Sequence, residues 1–123
     1  MARDNLDAPK ITDMVMVRGL KMETLSAVLA GSFTVNANMP PALFLDPNGA
    51  SRSVVMPLET SSKGLCFIIV NTSAAATFSL NIRNNADNAT LLTLTSGATL
   101  DLNETALVIC DGTRWYGISA TNP

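Results

Sequence analysis

Histidine is missing from all 123 residues of this sequence. Its absence removes the commonest general base, the usual transition-metal ligand and every Ser–His or Cys–His nucleophile pair. Charge is scarce as well: Asp, Glu, Lys and Arg make up 15% of the chain and sum to −2. Residues 1–23 hold Arg3, Lys10, Arg18 and Lys21 against Asp4, Asp7, Asp13 and Glu23, so that stretch is neutral and the remainder carries the acidic excess. No basic face is available to neutralise phosphates, and the single Trp and single Tyr are neighbours, Trp115 and Tyr116. Nucleic-acid binding is therefore not expected. No apolar run approaches the roughly 20 residues of a membrane-spanning helix, and Met1 to Asp7 lacks the basic start and apolar core of an export signal. Neither a membrane nor a secretory route is expected. The two cysteines, Cys66 and Cys110, lie inside apolar runs. Both are expected to be reduced core residues, since a free cysteine behaves as a small hydrophobe and no oxidising compartment is indicated.

What the chain does have is hydrophobic content, 47% of its residues. That is enough for one domain with a substantial core and no metal or disulfide staple. From residue 33 onward the pattern repeats every two residues. In Thr77 to Arg83, Phe78, Leu80 and Ile82 alternate with Thr77, Ser79, Asn81 and Arg83, as in a strand half-buried in an antiparallel sheet. Leu92 with Leu94, and Leu100 with Leu102, repeat the alternation. Leu65 to Val70 is apolar at every position and reads as a strand covered on both faces. Further strands are expected at 33–36, 43–46, 53–56, 105–110 and 113–118, rich in β-branched residues. Asp46-Pro47-Asn48-Gly49 has the residues of a type I turn, and Asp111-Gly112 those of a type I′ hairpin. Ser96-Gly97 and Asn84 to Asn88 mark other turns. Turns spaced this closely point to an all-β fold, a β-sandwich or a jelly-roll-like barrel.

Residues 1–31 differ. Pro9 blocks a long helix, and 20–30 fits a short helix ended by Gly31 about as well as a strand. The chain divides into an extended N-terminal arm, 1–31, and a β-sandwich body, 32–123, because thirty residues cannot build a core.

Chemistry is hard to find in this pattern. The carboxylates Asp46, Glu59, Asp87, Asp101, Glu104 and Asp111 show no spacing that demands a catalytic pair, and three of them already sit in turns. Asp46 to Arg52 resembles the start of a calcium loop, but Ala50, Ser51 and Pro57 stand where an EF-hand needs ligands and glycine. The triplets beginning at Asn71, Asn88 and Asn103 match the glycosylation sequon by composition alone. One residue of the Trp115–Tyr116 pair is expected in the core near Cys110. An enzyme is not expected, and neither is a cofactor or a metal.

Three segments in order carry a resemblance: Leu45-Asp-Pro-Asn-Gly-Ala-Ser-Arg-Ser-Val-Val-Met-Pro57, Gly64-Leu-Cys-Phe-Ile-Ile-Val-Asn-Thr72 and Cys110-Asp-Gly-Thr-Arg-Trp115. Together they resemble the head-decoration (capsid cement) proteins of tailed bacteriophages, over residues 42–118. The resemblance implies a homotrimer on the outer surface of the capsid, assembled in the host cytoplasm, with the major capsid protein as partner. It also implies an N-terminal segment reaching along the shell, with Leu6, Ile11, Met14 and Met16 as candidate capsid contacts. The same turn-and-strand grammar occurs in tail-fibre or spike modules that bind host surface carbohydrate, which stands as the alternative.

Overall fold

A computed structural model describes residues 19–75, 77–91 and 99–121 of the chain. Among the described residues eight strands form in order: β1 Thr24–Val28, β2 Phe33–Thr34, β3 Ala42–Asp46, β4 Arg52–Val55, β5 Cys66–Asn71, β6 Leu80–Arg83, β7 Glu104–Cys110 and β8 Trp115–Thr121. A single 3-10 turn, Glu59–Ser61, lies between β4 and β5. The protein is all-β with two sheets, one of five strands in the order β1-β3-β5-β7-β8 and one of three in the order β2-β4-β6. Neither sheet closes on itself, so the barrel alternative is not met.

Between named strands the expected antiparallel pairing holds only at the C-terminal end, although β6 also makes isolated antiparallel bridges, Leu80 to Leu100 and Arg83 to Thr90. β1–β3, β3–β5, β2–β4 and β4–β6 are parallel, while β5–β7 and β7–β8 are antiparallel. Through β7 successive strands alternate between the sheets, so each of β3 to β7 pairs with the strand two before it. Thr24 stacks on Ala42 and Ala42 on Ile68, and across the core Arg52 stacks on Leu80. The result is a short two-sided coil capped by the β7–β8 hairpin. A period of two reports which face is buried, and that is equally true of a hairpin and of a coil. What separates them is whether a turn sends the chain back beside its own strand or over to the opposite sheet.

The turn after β3 shows this. Asp46 Oδ1 accepts the Asn48 N–H at 2.9 Å, and Arg52 holds the loop by donating to the carbonyls of Pro47 at 2.9 Å and Asn48 at 3.1 Å. Asn48 has φ 50° and Gly49 φ 84°, so this is not the expected type I turn, whose central residues both have negative φ. The chain leaves it for the other sheet.

One core cluster joins the sheets. Leu43, Leu45, Phe67, Ile69, Val108 and Trp115 from the larger sheet meet Val54, Leu80 and Ile82 from the smaller, with Val35, Met56 and Leu100 closing the sides. Trp115 is the buried member of the aromatic pair. Its ring centroid is 6.0 Å from that of Phe67, and its indole Nε1 donates to the Pro57 carbonyl at 2.9 Å. Ser79, expected to face water, is buried instead: its N–H and its hydroxyl each lie 3.1 Å from Ser51 Oγ, which satisfies them inside the fold.

Of the segment read as an arm, residues 24–28 form β1 and Leu29 enters the core, which settles the helix-or-strand alternative there. Leu6, Ile11, Met14 and Met16 lie outside the described residues, as do Leu92, Leu94 and Ser96-Gly97.

Candidate interaction surface

Side chains alternate across a strand, so each core-facing residue of the larger sheet has neighbours aimed the other way. On β5 the buried Phe67, Ile69 and Asn71 alternate with Cys66, Ile68 and Val70. On β7, Ala106, Val108 and Cys110 alternate with Leu107 and Ile109. Register lines these outward residues into rows. Ala42, Ile68, Leu107 and Ile118 stand side by side across four strands. Phe44, Val70, Thr105 and Ala120 form the next row, and Cys66, Ile109 and Tyr116 a third.

No charged residue occurs in these rows. Ile118 is 69% exposed, Tyr116 51%, Ile109 49% and Leu107 42%. Two shallow hollows of about 260 and 170 Å³ lie on this face, both lined by Leu107 and Ile118. Contiguous exposed apolar area of this kind marks a place where another surface packs. The expectation that β5 is covered on both faces is thus corrected: on its outer face Cys66 is exposed and Ile68 and Val70 are half-buried, with no second layer over them among the described residues.

Cys66 is corrected with it: its thiol is exposed on this outer face, whereas Cys110 is buried. Cys66 pairs in register with Ile109, one residue from Cys110, so the two thiols point to opposite faces of the sheet and do not bridge.

Charge gathers at the hairpin that ends the face. Asp111 Oδ1 accepts the N–H groups of Thr113 at 2.8 Å and Arg114 at 2.9 Å. Those bonds hold its carboxyl below the ordinary 3.8, and the neighbouring Asp111 carboxylate pushes the Tyr116 phenol above 10.0. Between β7 and β8 the Asp111 N–H still donates to the Arg114 carbonyl at 3.2 Å, which leaves Gly112-Thr113 as the turn, and of these Gly112 (φ 96°) has positive φ. The expected two-residue type I′ turn would need it at both.

A second polar cluster is internal. Glu59 is buried, and its carboxylate accepts the N–H of Asn85 at 2.8 Å and of Ala86 at 3.2 Å. Asn85 Nδ2 donates to the Met56 carbonyl at 3.1 Å, and Asn84 Oδ1 accepts the Trp115 N–H at 2.9 Å. These bonds tie the Asn84 to Asn88 turn to the end of β4 and the start of β8, and nothing in them opens to a substrate. Asn71 is also buried, with Nδ2 donating to the carbonyls of Phe78 and Leu100 and Oδ1 accepting the Ser73 N–H. Its sequon is inaccessible in the folded chain.

The outer-face residues escaped the sequence reading, although a signal was there. Leu65 to Val70 and Ala106 to Cys110 are apolar at both parities, and a strand with two apolar faces needs two packing partners. No family model, curated protein or solved structure matches the chain.

Proposed function

We propose that this chain is a non-catalytic structural protein of a tailed-phage virion, a homotrimer that decorates the outside of the head and stabilises the shell of major capsid protein. The observation that carries this reading is the uncharged apolar part of the larger sheet's outer face, the rows across β3, β5, β7 and β8, whose chemistry suits packing against protein. The three segments resembling head-decoration proteins favour the capsid as the setting. The two sheets are read as the layers of a sandwich-like body, and Leu6, Ile11, Met14 and Met16 as the contacts to the capsid.

Binding that favours the intact lattice over separated subunits stabilises the lattice by mass action. Purified protein added to undecorated capsids should therefore raise the temperature at which they rupture, followed by release of packaged DNA to an intercalating dye. Saturating binding with no change in rupture temperature would turn the reading towards display. Failure to bind capsids together with binding to host-surface glycans would favour the tail-fibre alternative, in which exposed Tyr116 is the natural sugar-stacking group.

A further inference from the structure

We infer that the outer face of the five-stranded sheet is where copies of this chain pack against one another, an inference that rests on the homo-oligomer in the reading above and assigns its contact surface. Three observations converge on a second copy as the occupant.

The first is the pattern of β5 and β7. Their apolar residues at both parities are those of strands covered on two sides, and among the described residues the smaller sheet is the one cover. The second is charge. Copies of one chain carry the same net charge, −2, and where one face of every copy points at a shared symmetry axis, identical groups come close together. A face that meets itself must avoid charge at its centre, and the rows through Ile68, Leu107 and Ile118 have none. Asp111 and Arg114 lie beyond them in the hairpin loop, where a polar rim belongs. The third is size. Five strands about 4.8 Å apart, with about six residues rising roughly 3.3 Å each, give a footprint on the order of 500 Å² in projection. Accessible area over protruding side chains exceeds the projection. The face thus approaches the roughly 800 Å² that one partner contributes to a stable interface.

Cys66 gives this surface a built-in probe, because its exposed thiol shares a row with Ile109 and Tyr116. The test compares the full chain with Ile118→Lys and, should lysine there prevent folding, Ile118→Thr, which keeps the β-branched shape. Each is measured by light scattering after gel filtration, by far-ultraviolet circular dichroism and by the rate of Cys66 modification with a thiol reagent. The parent should elute as a multiple of 13.0 kDa, three copies on the proposed stoichiometry. Its Cys66 should react slowly. A folded Ile118 variant should fall towards the monomer mass with Cys66 reacting severalfold faster, while Cys110 stays unreacted.

A monomeric parent with fast Cys66 overturns the inference, as does an oligomer whose mass and Cys66 rate ignore both substitutions. A monomeric parent that still raises the capsid rupture temperature overturns the contact surface and leaves the capsid reading standing. An oligomer that Ile118→Lys dissolves, but that never touches capsids, supports the contact surface and removes the capsid reading.

Discussion

Glu59 ends in the interior and is met there by backbone N–H groups of the Asn84 to Asn88 turn, so this acidic residue holds a loop in place. Shortening it to alanine leaves the Asn85 and Ala86 donors without their acceptor. Glu59→Ala should cost about 2–3 kcal/mol in urea denaturation. Glu59→Gln, which keeps one acceptor oxygen, should cost less. Equal losses would mean that packing of the side chain, and not the N–H bonds, is what matters. Residue roles were unevenly legible in the sequence. That one of Trp115 and Tyr116 fills the core followed from the strand period, since neighbours face opposite ways. The burial of Glu59, Asn71 and Ser79 did not, because each has a partner far along the chain, Asn85, Leu100 and Ser51, and composition gives no sign of those partners.

Among the elements, the β7–β8 hairpin and its loop are where local chemistry speaks most clearly. Gly112 has positive φ, and a Cβ built on it would lie 3.3 Å from Lys63 Cβ. Gly49 also has positive φ, but with open space around it. Any Cβ is strained in that conformation, by about 1 kcal/mol. Gly112→Ala should therefore lower the melting temperature more than Gly49→Ala, with thermal circular dichroism as the measurement, and the reverse order would remove the Lys63 contact from the account. Asp111-Gly112 announced a reversal in the sequence and the reversal is there, one residue further on at Gly112-Thr113. The Asp-Pro-Asn-Gly turn was equally visible, yet its destination was not. Turn residues specify a local change of direction, and the sheet that receives the next strand is decided by core residues such as Val54, Leu80 and Ile82 that lie across from it.

For the whole molecule, strand alternation makes nearly all pairing long-range. Of the strands that pair, only β7 and β8 are joined by a short loop, and every parallel pair has a strand of the other sheet between its members in sequence. Folds dominated by such contacts form slowly, on the order of milliseconds to seconds. The hairpin is the natural place for structure to begin, with the first coil joining late. In stopped-flow refolding, Val108→Ala should mainly slow folding, whereas Leu25→Ala should mainly speed unfolding. The opposite assignment would put the nucleus at the β1 end. The all-β character and the core-facing residues were readable from the period of two. The parallel coil was not, because the signal separating it from a meander lies in how turns join the two sheets.

The coil also gives the body a direction of mechanical weakness. Its inter-strand hydrogen bonds run along the stack, from β1 through β3 and β5 to β7 and β8. A pull across the strands, applied at the β1 end where the leading residues join, loads one ladder at a time and peels the sheet like a zipper. A pull along the strands loads every bond of a ladder at once, in shear. A clasp on a shell that swells from within would hold best with its strands lying along the line of tension, and an attachment that drags on β1 across the stack would open first at the β1–β3 ladder.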